Sequence, residues 1–353
     1  MAKLMDYLTQ AATAGASDLF IVAGAPLSIK LDNRLRPLDN EKILPPRGEA
    51  LIAEIYELAQ RDMAPFRETG DDDFSFSVPG LARFRVNAYR QRGSLAAVIR
   101  IVAFNIPDWQ TLHIPETVME LSALHNGMVL VTGTAGCGKS TTLACIIDRI
   151  HRERACHIIT LEDPIEYLHR NQQSIVSQRE IAVDTADCLS ALRACLRQAP
   201  DVIQLGEMRD LETIRTAMTA AETGHLLFAT LHTRGAVNTI DRIIDAFPAD
   251  QQDQIRIQLS AVLRTVVSQQ LLPDVNGGMV PAFEIMHMTG AVRNMIRDCK
   301  NHQIAGAIAA GSADGMISMD QSILQLYQAA QITRETALEH ADNPEQMLRR
   351  IGG

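Results

Sequence analysis

Apolar and polar positions over the first hundred residues predict a mixed set of short helices and strands. Residues 3–13 follow helical spacing, and an apolar run at 19–22 comes after them. Leu27, Ile29 and Leu31 alternate with polar residues, and Asp32-Asn33 supplies turn chemistry before Leu35. Residues 47–60 place Leu51, Ile52, Ile55 and Leu58 on one helical face. Phe74, Phe76 and Val78 alternate up to a turn at Pro79-Gly80. Phe84, Val86 and Ala88 alternate again, which turns Arg83 and Arg85 to the opposite face. Residues 95–102 complete the pattern of an antiparallel meander. Together these elements predict a small α+β domain over residues 1–103.

Residues 104–116 (FNIPDWQTLHIPE) contain two prolines and little periodicity, and are expected to link two domains. Beyond them the rhythm becomes short apolar runs, at 128–131, 157–161, 202–205 and 226–229, separated by helical patterns. Strands covered on both faces read as continuous apolar runs, so residues 117–272 predict a parallel sheet in an α/β domain. Residues 273–353 read as mainly helical. There, Ser318 and Gln321 fit a capping box, and Asn343-Pro344 fits a cap followed by proline at the first helical position.

The length of 353 residues favours two or three domains, at about 150 residues each. The chain has 33 Lys and Arg against 42 Asp and Glu, a formal charge of -9. That balance opposes a protein devoted to coating nucleic acid. No apolar run is long enough to span a bilayer, and Asp6 interrupts the stretch that a signal peptide would need. A cytoplasmic protein that reaches the membrane only through a partner is expected. The six cysteines form no C-x-x-C pair, which argues against a zinc ribbon or a thioredoxin-type site and favours reduced thiols.

Chemistry concentrates in the second half. Gly133, Thr134, Ala135, Gly136, Cys137, Gly138, Lys139 and Ser140 match G-x-x-x-x-G-K-[ST]. They follow an apolar strand and open a helix with Leu143, Ile146, Ile147 and Ile150 on one face, the setting a phosphate-binding loop requires. The glycines let backbone N–H groups curl around phosphates, and the helix N-terminus adds a favourable dipole. Lys139 is expected to reach the β- and γ-phosphates of ATP, Ser140 to ligate Mg²⁺, and Thr141 to complete the binding set.

At the end of the run 202–205, Glu207 is delivered to the edge where open α/β sheets bind ligands. It is placed to join the Mg²⁺ shell or to orient water, while Asp210 is the better cap for the helix that follows. Glu162, Asp163 and Glu166 put three carboxylates within five residues. Alone they would read as a solvated acidic loop; beside Mg-ATP, one becomes a base for water. His232 lies at the same edge, as a sensor of the γ-phosphate, whereas His225 lies at the opposite end of its strand. Residues 74–107 hold no Asp or Glu but five arginines, Arg83, Arg85, Arg90, Arg92 and Arg100. That block reads as a solvated strand face, a nucleic-acid surface with thin aromatic support, or a source of arginine fingers for ATP.

At this point the sequence resembles a family, the secretion-type hexameric ATPases, and within it the PilT type that retracts type IV pili in twitching motility. The specific segments are LEDPIEYLH (161–169), Ser177-Gln-Arg-Glu180, LRQAPDVIQLGEMRDLETI (196–214) and AAETGHLLFATLHT (220–233). The segment 291–298 is similar to the motif of retraction motors, and 15–19 matches the start of the family's N-terminal domain. The resemblance implies a PAS-like N-terminal domain, a RecA-like ATPase domain and a homohexamer. It also implies an inner-membrane platform protein as partner. Glu166 matches the proposed catalytic glutamate, Glu207 the Walker B glutamate that also serves the metal, and His225 and His232 the histidine box. Arg85 and Arg100 match the strand arginines that reach the nucleotide.

Phe20 stands where the family commonly has histidine. Thr134, Ala135 and Cys137 replace proline, threonine and serine. Cys137 therefore raises the expectation of sensitivity to thiol oxidation or alkylation, and Gln204 is polar in an apolar strand. The rival functions are an accessory retraction ATPase of the PilU type and a pilus assembly or secretion ATPase. A small-molecule kinase and a non-hydrolysing nucleotide-binding regulator are the rivals from other classes.

Overall fold

A computed structural model of the chain describes residues 3–31, 34–102 and 106–352. The turn expected at Asp32-Asn33 and positions 103–105, around the start of the expected linker, lie outside these residues. The chain divides into two units, 1–105 with 165–168, and 106–164 with 169–353.

Among the described residues the first unit carries a six-stranded antiparallel sheet. Its strands are β1 (Asp18–Ile21), β2 (Pro26–Leu31), β3 (Arg34–Lys42), β4 (Asp71–Val78), β5 (Ala82–Gln91) and β6 (Ser94–Val102), in the order β3-β2-β1-β6-β5-β4. The predicted meander is β4-β5-β6, and β6 continues the sheet by pairing with β1. Alternation puts Leu19, Ile21, Phe84, Val86 and Ile99 on one face, where they pack with Leu4 and Leu8 of helix Leu4–Thr13 and with Ile52 and Ile55 of helix Pro45–Leu58. β3 escapes sequence reading because none of its side chains is buried, so it shows no apolar alternation. β4 begins ahead of its alternating residues, at polar Asp71. Its Asp72 is pinned by Arg61 at 2.8 and 2.9 Å and by the Tyr56 hydroxyl at 2.9 Å.

The second unit is built on β7 (Gly127–Thr132), β8 (His157–Glu162), β9 (Ile175–Glu180), β10 (Val202–Leu205), β11 (Leu226–Leu231), β12 (Leu263–Pro273) and β13 (Met279–His287). Their order is β13-β12-β7-β11-β10-β8-β9, parallel throughout except where β13 runs against β12. Met128, Leu130, Ile203, Leu205 and Leu227 face one layer of helices. Val129, Val131, Val202 and Phe228 face the other, which contains helix Lys139–Glu153. Both faces are covered, which is why the predicted runs are mainly apolar, with His157, Thr160 and Gln204 as the polar exceptions.

Within the segment expected to be a linker, Ile106, Trp109, Leu112 and Ile114 pack against this second core. The region read as mainly helical opens with a strand, β13, before the helices Gly290–Arg297, Ile304–Ala310, Met319–Gln328, Arg334–His340 and Pro344–Ile351. Pro281 and Glu284 interrupt the apolar run of β13 and disguise it, and Pro281 is tolerated because β13 is an edge strand. Ser318 and Asn343 cap their helices as expected, accepting from Gln321 N at 3.3 Å and Gln346 N at 3.0 Å.

Candidate nucleotide site

The loop between β7 and helix Lys139–Glu153 is shaped by glycines at 133, 136 and 138, with φ of 138°, 77° and 91°. A Cβ on Gly133 would meet the Gln269 carbonyl oxygen at 2.3 Å and Cys137 Sγ at 2.6 Å, so no larger residue fits. Thr134, Ala135 and Gly136 form an exposed tip, and Ser140 and Thr141 are half-buried in the first helical turn. Lys139 is buried, and its ammonium donates to the carbonyls of Gly133 and Thr134 at 2.8 and 2.9 Å. The loop thus holds its cation beside backbone N–H groups at a helix N-terminus, an arrangement that favours phosphate.

Gln269 of β12 supports this loop from below, a role that sequence reading missed. Its buried side chain accepts from Thr142 Oγ1 at 2.8 Å, and its Nε2 would lie 2.8 Å from a Cβ on Gly138. The one available signal was a polar pair, Ser268-Gln269, inside a buried strand.

β7, β11 and β10 are parallel neighbours, so their carboxyl ends share one edge. His232 follows β11, and its Nδ1 lies 3.5 Å from Lys139 Nζ. On its other side, His232 Nε2 lies 3.4 Å from Glu207 Oε1. The second oxygen of Glu207 accepts from Arg209 Nε at 2.6 Å, and Arg209 Nη1 lies 3.9 Å from Asp163. Lys139, His232 and Glu207 therefore form a continuous polar chain from the phosphate loop to a carboxylate. Asp210 caps the next helix, accepting from Thr213 N at 2.9 Å, which leaves Glu207 free of that task. His225 is occupied at the far end of β11, with Nδ1 2.9 Å from the Ala220 carbonyl. Glu162 accepts from Thr160 and Gln178 at 2.6 and 3.1 Å.

Glu166, Arg85 and Arg100 belong to the first unit, where Glu166 is exposed. Arg85 grips Asp73 with two bonds of 3.2 and 2.7 Å, and Arg100 donates to Asp18 at 3.1 Å. The register sets Arg100 opposite both Arg85 and Asp18. The acid-free window 74–107 is thus less cationic in three dimensions than in sequence. Its partners come from strands that begin before the window, an effect of cross-strand pairing that no linear count shows.

Cys137 corrects the expectation of thiol sensitivity. The side chain is buried, and burial raises its pKa despite the lowering influence of Lys139. Burial shields a thiol of that kind from reagents. Treatment of the folded protein with iodoacetamide is expected to leave Cys137 unmodified by mass spectrometry and turnover unchanged. Loss of turnover in step with Cys137 labelling would contradict this. Gln204 Oε1 is buried without a hydrogen-bond partner among the described residues.

The profile of the family described as "Type II/IV secretion system protein" matches residues 1–352. The chain belongs to this family. It is 45% identical over 343 residues to the type IV pilus retraction ATPase PilT of Pseudomonas aeruginosa, covering 97% of this chain and 99% of that protein. The type IV pilus ATPase PilU of the same organism is 40% identical over 331 residues, covering 93% and 86%. A crystal structure of the pilus retraction motor PilT with bound ADP superposes with a TM-score of 0.90 at 43% identity, covering 99% of this chain and 100% of that one. The protein is a PilT-type member of the family and an ATPase, with an N-terminal domain followed by a RecA-like ATPase domain.

Proposed function

We propose that this chain is the hydrolysing subunit of a homohexameric motor that retracts type IV pili, acting at the cytoplasmic side of an inner-membrane platform protein. The observation that supports it most is the chain Lys139–His232–Glu207, which links phosphate binding to a carboxylate at the sheet edge. In this reading, water attacks the γ-phosphorus of ATP, the bond to the β–γ bridging oxygen breaks, and ADP and phosphate leave. Gly133 to Thr141 hold the phosphates, Lys139 neutralises developing charge, and Glu207 orients water. His232 couples Lys139 to Glu207, so occupation of the loop is felt at the carboxylate.

The oxygen donors of Ser140 and Glu207 suit Mg²⁺, a hard cation bound by few carboxylates together with substrate phosphates. When bound, that ion would neutralise charge on the β- and γ-phosphates. Glu166 is assigned as the further catalytic carboxylate, and Arg85 and Arg100 as fingers for the γ-phosphate. Among the described residues no helix is long and apolar enough to cross a membrane.

Particle mass measured with Mg and a non-hydrolysable ATP analogue tests the assembly. Six chains per particle are expected, and a monomer at every concentration would contradict the ring.

A further inference from the structure

A second cluster of chemistry lies on the same helix as the phosphate loop, near its far end. Asp148 and His151 are three residues apart on helix Lys139–Glu153, so their side chains share a face. His169 comes from the chain after the acidic segment 162–166. The ligand atoms of Asp148, His151 and His169 all lie within 4.8 Å of one another. Asp148 Oδ1 is 3.7 Å from His151 Nε2, close to the ~3.4 Å between two ligand atoms of tetrahedral Zn²⁺.

His151 makes this cluster unlike an ordinary surface group. Its side chain is 1% exposed, and neither ring nitrogen has a hydrogen-bond partner among the described residues. His169 Nδ1 is likewise buried without a partner, and the two rings meet edge to face with centroids 5.7 Å apart. Buried polar atoms rarely go unmatched, and two imidazoles with unpartnered nitrogens grouped around a carboxylate point to a cation.

The carboxylate and the backbone around the cluster are held in place by further hydrogen bonds. Arg152 Nε holds the other oxygen of Asp148 at 2.8 Å, which fixes the carboxylate and leaves Oδ1 toward His151. The backbone N–H groups of Gln173 and Ser174 donate to the His151 carbonyl at 3.1 and 3.2 Å, and His169 N donates to Gln178 Oε1 at 2.8 Å. Asp148 also lines an open cleft of about 500 Å³ with Pro107, Asp108, Glu116 and Arg149.

We propose that Asp148, His151 and His169 bind one divalent transition-metal ion, with Zn²⁺ as the best match, through two imidazole nitrogens and one carboxylate oxygen. Three protein ligands leave a fourth position for water, and the nitrogen-rich set selects Zn²⁺ over Mg²⁺. The ion staples the chain that follows the acidic segment to the helix that begins at the phosphate loop. It is a site separate from the nucleotide, and its occupancy does not depend on the roles assigned to Glu207 or Glu166.

Zn²⁺ titration of the full chain by calorimetry, with Co²⁺ absorption as the geometric readout, tests the assignment. One equivalent per chain is expected, with visible bands of tetrahedral Co²⁺ and a rise in Tm on adding Zn²⁺. Asp148→Asn alters a half-buried group and is the variant least prone to misfold; with His169→Gln it should weaken binding by at least ~100-fold, beyond the effect of losing a supporting residue. Each variant's Tm without metal reports whether it folds. Cys299 is exposed, so Cys299→Ser controls for a surface thiol and should keep the ion. Absence of binding to the wild-type chain would overturn the proposal. So would unchanged affinity in folded Asp148→Asn and His169→Gln, or loss of binding in Cys299→Ser alone.

Discussion

Glu207→Gln is expected to bind Mg-ATP while losing turnover by ~10²–10⁴-fold, the range of general acid–base contributions. The substitution keeps the shape of the side chain and removes its charge. Gln still offers an oxygen to Arg209 Nε, now 2.6 Å from Glu207 Oε2, and Arg209 is largely exposed. Solvent therefore takes up most of the lost ion-pair energy, and folding should change little. Binding rests mainly on the loop glycines and Lys139, which this change does not touch. Single-turnover assays alongside equilibrium nucleotide binding separate the two effects. Near-normal turnover would remove Glu207 from the chemistry, and loss of binding in step with turnover would make it a binding residue only.

Loss of the strand arginines should have the largest consequence, up to ~10³–10⁵-fold in turnover if either acts as a finger. Arg85→Ala is the cleaner test, because its partner Asp73 is about half exposed and can be hydrated once unpaired. Arg100→Ala leaves Asp18, whose side chain is only 8% exposed, with Ser17 Oγ as a remaining donor at 2.8 Å. A structural penalty is expected there, so Asp18→Asn is its control: it releases Arg100 without removing it. A finger predicts slow turnover in both arginine variants, with unfolding temperatures near those of wild type and Asp18→Asn close to normal in rate. Loss of nucleotide binding and stability in equal measure would instead mark the arginines as structural.

Much of this architecture is legible in the chain because burial on both faces of a parallel sheet leaves short, mainly apolar runs. β7, β8, β10 and β11 announce themselves in that way. β12 and β13 do not, since Ser268, Gln269, Pro281 and Glu284 break their patterns. The phosphate loop is legible because its glycines are set by local backbone geometry. Its support by Gln269 depends on a strand more than a hundred residues away, where the polar pair Ser268-Gln269 is the one hint of it. His232 could be placed at the nucleotide edge from topology, but its position between Lys139 and Glu207 emerges only from coordinates. The arginine block shows the reverse error: a linear window free of acids conceals Asp18 and Asp73 across the strands.

The central claim is that this ATPase drives retraction, and deletion of its gene followed by imaging of surface pili tests it most directly. Cells are expected to carry excess pili that extend but do not retract, with retraction restored by the wild-type chain and not by Glu207→Gln. Cells without pili, or with normal retraction, would contradict the account.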